Sequence, residues 1–139
     1  MHKPYTLLDH TADLRIRVEG RDPADLFANA GLALAELICD PASLDAKEIV
    51  VLEIEGDDAP DLMVNTLREL LYLWTGKQKL IKVVETLANS PTTVSVRVTT
   101  DDFMPGRHTI LNEIKAVTYH QIAVEPTDDG WQATVVLDI

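Results

Sequence analysis

Oxygen ligands gather at the two ends of this chain. It closes on Leu137-Asp138-Ile139 while the period-two pattern of a strand is still running, so an aspartate side chain and the terminal carboxylate are expected to leave the fold side by side. Near the other end, Asp9-His10-Thr11-Ala12-Asp13 forms a second concentration in a turn-like stretch. If one sheet makes the two ends neighbours, Asp13, Asp138 and the Ile139 carboxylate converge. That ligand set suits a hard divalent cation such as Ca²⁺ or Mg²⁺. The competing reading is plainer: aspartates in a turn accept hydrogen bonds from backbone amides, and Asp138 alone is a solvated strand end.

Other candidate residues point to structure. His10 and His108 lack the paired spacing of a zinc-binding helix and read as structural or interface groups. Asp57-Asp58 reads as helix capping, Asp128-Asp129 as turn chemistry, and Cys39, at the end of an apolar helix, as a small buried hydrophobe. There is no phosphate-cradling glycine loop, no Ser-His-Asp or Cys-His set in a familiar context, and no paired cysteine ligands. Intrinsic enzymatic activity is therefore not expected; the alternatives are a metal-dependent phosphoester hydrolase and a chaperone-like interaction module whose carboxylates bind nothing.

The elements that must position these residues follow from periodicity. Leu14, Ile16 and Val18 alternate with Arg15, Arg17 and Glu19, a half-buried strand ended by Gly20. Asp22-Pro23 opens a helix carrying Leu26, Phe27, Ala30, Leu34, Leu37 and Ile38 on one face, to about Cys39. Residues 49–54 read as a strand, and Gly56-Asp57-Asp58 leads into a second helix stopped by Gly76. Strands are expected at 80–87, 93–99, 114–124 and 131–137, with an irregular stretch over 101–108. Asp129-Gly130 makes the last two a hairpin. No fixed-period repeat is apparent. The expected fold is α+β, a single domain over 1–139 in which two amphipathic helices pack on a largely antiparallel sheet of about six or seven strands.

Composition excludes several functions. Hydrophobic residues are 46% and charged residues 25%, ordinary for a globular domain, and the apolar runs fall far short of a membrane span. The N-terminus lacks the apolar core of a secretory signal, and one cysteine cannot make an internal disulfide, so a cytoplasmic location is expected. A net charge of -11 repels phosphate backbones, which argues against direct, tight nucleic-acid binding. The same charge can attract cations or a basic protein partner.

Four segments together carry a resemblance: Asp9-His10-Thr11-Ala12-Asp13; Leu70-Leu71-Tyr72-Leu73; Glu113-Ile114-Lys115-Ala116-Val117-Thr118-Tyr119-His120; and Asp129-Gly130-Trp131 with the closing Leu137-Asp138-Ile139. In this order, across essentially the whole chain, they resemble archease. The resemblance implies an archease-like sandwich and an accessory protein that activates an RtcB-type RNA ligase in tRNA splicing and RNA repair. It implies that the protein promotes guanylylation of the ligase's active-site histidine and supports multiple turnover. By position, the family's metal ligands fall on Asp13, Asp138 and the Ile139 carboxylate, and its functional lysine on Lys115. The implied cofactor is a divalent ion, Ca²⁺ in isolation and Mg²⁺ or Mn²⁺ in function. The stretch from Thr100 to His108 keeps the family's proline, Pro105, and its Arg107-His108 pair, while the residues before them depart from the family pattern.

Overall fold

Two strand–turn–helix units, one after the other, set the architecture of the computed structural model, which describes residues 4–9 and 13–139. The first runs from β2 (Asp13–Gly20) into α1 (Pro23–Ile38); the second runs from β3 (Glu48–Glu55) into α2 (Ala59–Thr75). Their junctions are built alike. Asp22 and Asp58 are the N-caps, accepting from the amides of Asp25 at 2.8 Å and Asp61 at 2.9 Å. Asp25 and Asp61 reach back to the amides of Arg21 and Asp57 at 2.9 and 2.8 Å. The Nδ2 groups of Asn29 and Asn65 donate to the carbonyls of Glu19 and Glu55 at 2.8 and 2.9 Å. At Gly20 and Gly56 a Cβ would lie 2.5 Å from the backbone nitrogen of Leu26 and Leu62 respectively, so only glycine lets each strand turn this tightly onto its helix.

This is an internal duplication that contradicts the expectation of no repeat. Val18-Glu19-Gly20, Asp22, Asp25-Leu26 and Asn29 correspond to Ile54-Glu55-Gly56, Asp58, Asp61-Leu62 and Asn65. The capping aspartates, the asparagine and the turn glycine are held in common because each has a fixed geometric job; Glu19/Glu55 and Leu26/Leu62 are also identical, whereas Val18 and Ile54 differ, since an apolar position needs hydrophobicity but no particular side chain.

Each unit recruits a hairpin. β4 (Lys79–Asn89) and β5 (Thr93–Asp102) join β3 in the sheet order β3-β5-β4. β6 (Ala116–Thr127) and β7 (Gly130–Asp138) join β2, and β1 (Tyr5–Asp9) covers the other edge of β2, giving β1-β2-β7-β6. All pairings are antiparallel. The chain therefore has seven strands in two sheets among the described residues, where the sequence suggested one. Alternation tells which face of a strand is buried but not which strand it pairs with, so it cannot separate one sheet from two.

Both helices touch both sheets. α1 packs on β2 and on β4, and α2 packs on β6 as well as on β3 and β4. No residue of α1 is exposed, whereas α2 shows Arg68, Glu69, Tyr72 and Thr75 to solvent. One continuous core joins the layers, from Ile16, Val18, Leu137 and Val135 on one sheet through Leu34, Leu67 and Leu70 to Val96 and Val98 on the other. Gly31 sits where the layers are tightest: its Cα faces Leu70 and Val84, and a Cβ there would lie 2.9 Å from Leu70 Cδ1.

Two further differences concern edges. β1 was not legible because its five residues, Tyr5-Thr6-Leu7-Leu8-Asp9, are too short to show a period and run into turn-type residues. The stretch read as irregular from residue 101 begins later, since Asp101 and Asp102 still pair with Leu80 and Lys79.

Candidate metal centre

The register of β2 against β7 places Asp13 directly opposite Asp138. Side chains of directly opposed residues share a face with Cβ atoms about 5 Å apart. Leu14 and Leu137, next in the ladder, point into the core and are 7% and 0% exposed, so the two aspartates point to the solvent face. Asp13 is half-buried, Asp138 exposed, and Ile139 follows at the sheet tip, 39% exposed.

Lys115 sits at the same tip. Its amide donates to the Asp138 carbonyl at 2.8 Å, and Ala116 is the residue that pairs with Asp138. Lys115 thus immediately precedes β6 instead of lying within it, because the ladder to β7 begins at Ala116. Its exposed side chain makes no ion pair among the described residues.

The segment leading to Lys115 is held from behind by α1. The Leu111 amide donates to Ile38 O at 2.8 Å and Asn112 Nδ2 to Leu37 O at 2.6 Å, satisfying carbonyls that the helix terminus leaves open. Ile114, 1% exposed, then anchors the residue before Lys115 in the core. His108 belongs to this scaffold. Its buried ring accepts the Met104 amide on Nδ1 at 3.0 Å, and Nε2 lies 3.4 Å from Asp101 Oδ2 without hydrogen-bond geometry. The amide of Asp45, 2.9 Å from Asp101 Oδ2, holds that carboxyl below the usual carboxylate range, and the Asp102 amide adds to the effect. Arg107 closes the same corner by an ion pair to Asp45 at 2.7 Å.

Two carboxylates and an ammonium-bearing residue from distant parts of the chain thus meet at one end of one sheet. Among the described residues no three His, Cys, Asp or Glu side chains lie close enough to share an ion. His10 lies outside the described residues, and of Asp9 only the backbone is described, its Cα paired with Arg15. Arg15 is the residue sequence reasoning passed over. It shares the solvent face with Asp13, two positions along β2 and opposite Val136, and its Nε is buried with no hydrogen-bond partner among the described residues. The signal was the Arg15/Arg17 alternation, which reads equally as ordinary solvated charge.

Three further sequence readings fall where expected. Cys39 is buried, Asp58 caps α2, and Asp128-Asp129 forms the turn between β6 and β7. Trp74 stacks edge-on against Phe103 with ring centroids 5.2 Å apart. No described helix is long and apolar enough to cross a membrane.

Comparison with known proteins gives one consistent result. Residues 5–139 match the model of the archease protein family (MTH1598/TM1083). The chain is 33% identical over 141 residues to the protein archease of Methanosarcina acetivorans, covering 99% of this chain and 97% of that one. It is 33% identical over 139 residues to the protein archease of Methanopyrus kandleri, covering 98% and 99%. The solution structure of Methanobacterium thermoautotrophicum protein 1598 superposes with a TM-score of 0.83 at 26% identity, covering 99% of this chain and 100% of that one.

Proposed function

This chain belongs to the archease family, and on that premise we propose that it is an accessory protein that activates an RtcB-type RNA ligase in tRNA splicing and RNA repair, promoting guanylylation of the ligase histidine and multiple turnover. The observation that carries the reading is the cross-strand opposition of Asp13 and Asp138 beside Lys115. Like charges placed directly opposite each other in a sheet are destabilising, so such a pair persists for a reason other than folding. A hard cation held by Asp13, Asp138 and the Ile139 carboxylate supplies that reason and fits an all-oxygen donor set. Ca²⁺ suits the site in the isolated protein, Mg²⁺ or Mn²⁺ in function.

When bound, the ion supplies positive charge against phosphate oxygens. The protein's own part is positional. The Asp138 carbonyl and the α1 terminus fix the backbone of Lys115, so its ammonium projects from the sheet tip toward a docked nucleotide triphosphate. Phosphoryl and nucleotidyl transfer depend mainly on positioning and charge neutralisation, which is what such a tip offers a partner active site. Asp138 and Lys115 are exposed at the sheet tip, where a partner active site can reach them, which supports an activator. The net charge of -11 favours docking on a basic ligase surface over direct RNA binding. The lone buried cysteine fits a cytoplasmic setting.

The test is multiple-turnover RNA ligation by an RtcB-type ligase from the same source, with GTP and Mn²⁺, with and without this protein. Stimulation is expected from the wild type and not from folded Asp138→Ala or Lys115→Ala. No stimulation at any ratio removes the activator reading, and metal-dependent phosphoesterase activity of the chain alone, lost in Asp13→Asn, replaces it.

A further inference from the structure

The internal duplication shows a position filled in one half and open in the other. β2 and β3 are equivalent, residue 18 matching residue 54, and each pairs on one side with the second strand of a hairpin, β7 and β5. On its other side β2 is covered by β1, whereas β3 ends its sheet. The consequence is visible in burial. Ile16, paired with Leu7 of β1, is 0% exposed and Leu14, just beyond the pairing, 7%; their counterparts Val50 and Leu52 are only partly buried, and Ile49 and Val51 on the outer face are 67% and 51% exposed.

Of the devices that normally protect an edge, this one has charged side chains, Glu48, Glu53 and Glu55, but neither a proline nor a register shift. β1 and β4 are broken by register shifts, and β6 by a wide one between Thr118 and Ala123 and by Pro126. β3 runs for eight residues in unbroken register, from Glu48 opposite Thr100 to Glu55 opposite Thr93, without proline. Beside its far end a cavity of about 290 Å³ opens between β3 and α2, lined by Glu53, Glu55, Asn65, Arg68 and Glu69. The single cation there is already engaged, Arg68 Nε donating to Val117 O at 3.0 Å and its guanidinium lying 4.6 Å from the Tyr119 ring centre.

We propose that β3 is a docking edge for an extended segment of a protein partner, which adds as an antiparallel strand in the place β1 holds on β2. Alternation dictates the segment's chemistry. Residues opposite Val50 and Leu52 face inward and must be apolar to complete the core margin; residues on the outer face, toward Glu53 and Glu55, must be Lys or Arg. A second copy does not fit this description, since it would set the three β3 glutamates of each copy on adjacent strands of two chains that each carry a net charge of -11. The edge lies on the sheet that lacks Asp13 and Asp138, so this interaction is independent of the metal-centre reading.

The test uses the full ¹⁵N-labelled chain and the peptide Ac-Lys-Val-Lys-Val-Lys-Val-Lys-Val-NH₂ at low salt. Amide shift changes and slowed hydrogen exchange are expected along residues 48–55. The double substitution E53K/E55K, both on exposed positions, is expected to weaken binding about tenfold or more. N-methylating every second peptide amide in one phase is expected to abolish binding, while the opposite phase retains it, because successive strand amides point to opposite edges. The two methylated peptides carry the same charge, so equal binding by both reduces the effect to plain attraction and overturns the proposal. Shift changes confined to the acidic helix N-termini, or self-association of the unliganded chain through β3, overturn it equally.

Discussion

Replacing Asp138 by asparagine should act in opposite directions with and without a divalent ion, and the two signs separate a ligand from a structural residue. In chelator the wild-type protein holds two carboxylates on directly opposed residues. At a separation of roughly 5 Å and a solvent-like dielectric, their repulsion is about 0.8 kcal/mol, within the range of about 0.2–1 kcal/mol typical of cross-strand pairs. Asp138→Asn removes it and leaves the strand pairing of Lys115 and Ala116 to the Asp138 backbone untouched. Melting in EDTA should therefore be unchanged or higher by about 1–3 °C, taking about 3 °C per kcal/mol for a domain of this size. With Ca²⁺ at about a hundredfold excess over its dissociation constant, the wild type gains about 2.7 kcal/mol, or about 8 °C, and the variant gains little. Differential scanning calorimetry reads both arms in one series. An Asp138→Asn melt several degrees lower in EDTA would show that the side chain is structural. A wild-type melt indifferent to Ca²⁺, Mg²⁺ and Mn²⁺ would refute the ion site outright.

Further predictions follow from the fold. Because the two helix starts are built alike, Asp22→Ala and Asp58→Ala should each cost about 1 kcal/mol, seen as matching shifts in urea midpoint. Leu70→Ala, at a fully buried side chain beside Gly31 and Val84, should cost about 3–5 kcal/mol in equilibrium urea unfolding with an unchanged slope. Hydrogen bonds from Lys47 and Lys79 hold the Asp102 carboxyl down to about 2, and that of Asp101 is also lowered, chiefly by the Asp45 amide. Groups lowered on folding contribute above their unfolded value of 3.8 and lose that contribution as pH falls through the folded one. Stability should thus decline between pH 4 and pH 2, and Asp102→Asn should flatten that decline in acid titrations followed by circular dichroism. At the alkaline end, Lys79 is raised to about 12 by its bonds to Asp102 and then Glu48, so its contribution is present below 10.5 and lost as pH rises toward 12; Lys79→Met should shrink that limb, leaving the part due to Lys47, which Asp102 also raises.

Much of the secondary structure and the identity of the ligand candidates could be read from the sequence alone, because both are local. Asp22-Pro23 and Gly56-Asp57-Asp58 announce helix starts wherever they occur, and α1 and α2 begin where these residues put them. The strand parity that turns Asp138 away from Leu137 is likewise a property of the chain itself. The family, too, was legible, since its segments lie in order along the whole length. What remained hidden depends on pairing between residues far apart in sequence. Whether the two chain ends meet is decided by the register of β2 against β7, and a slip of one residue would have put Asp13 on the opposite face from Asp138. Two sheets instead of one, the short strand β1 and the open edge of β3 are decisions of the same kind. His108 shows the limit most plainly: its spacing suggested an interface or structural residue, and only the packed fold shows it buried beside Asp101, bracing the loop that presents Lys115. Local residue chemistry set the elements and the candidate oxygen donors; the tertiary fold placed Asp13 opposite Asp138, because strand pairing joins residues that no local pattern connects.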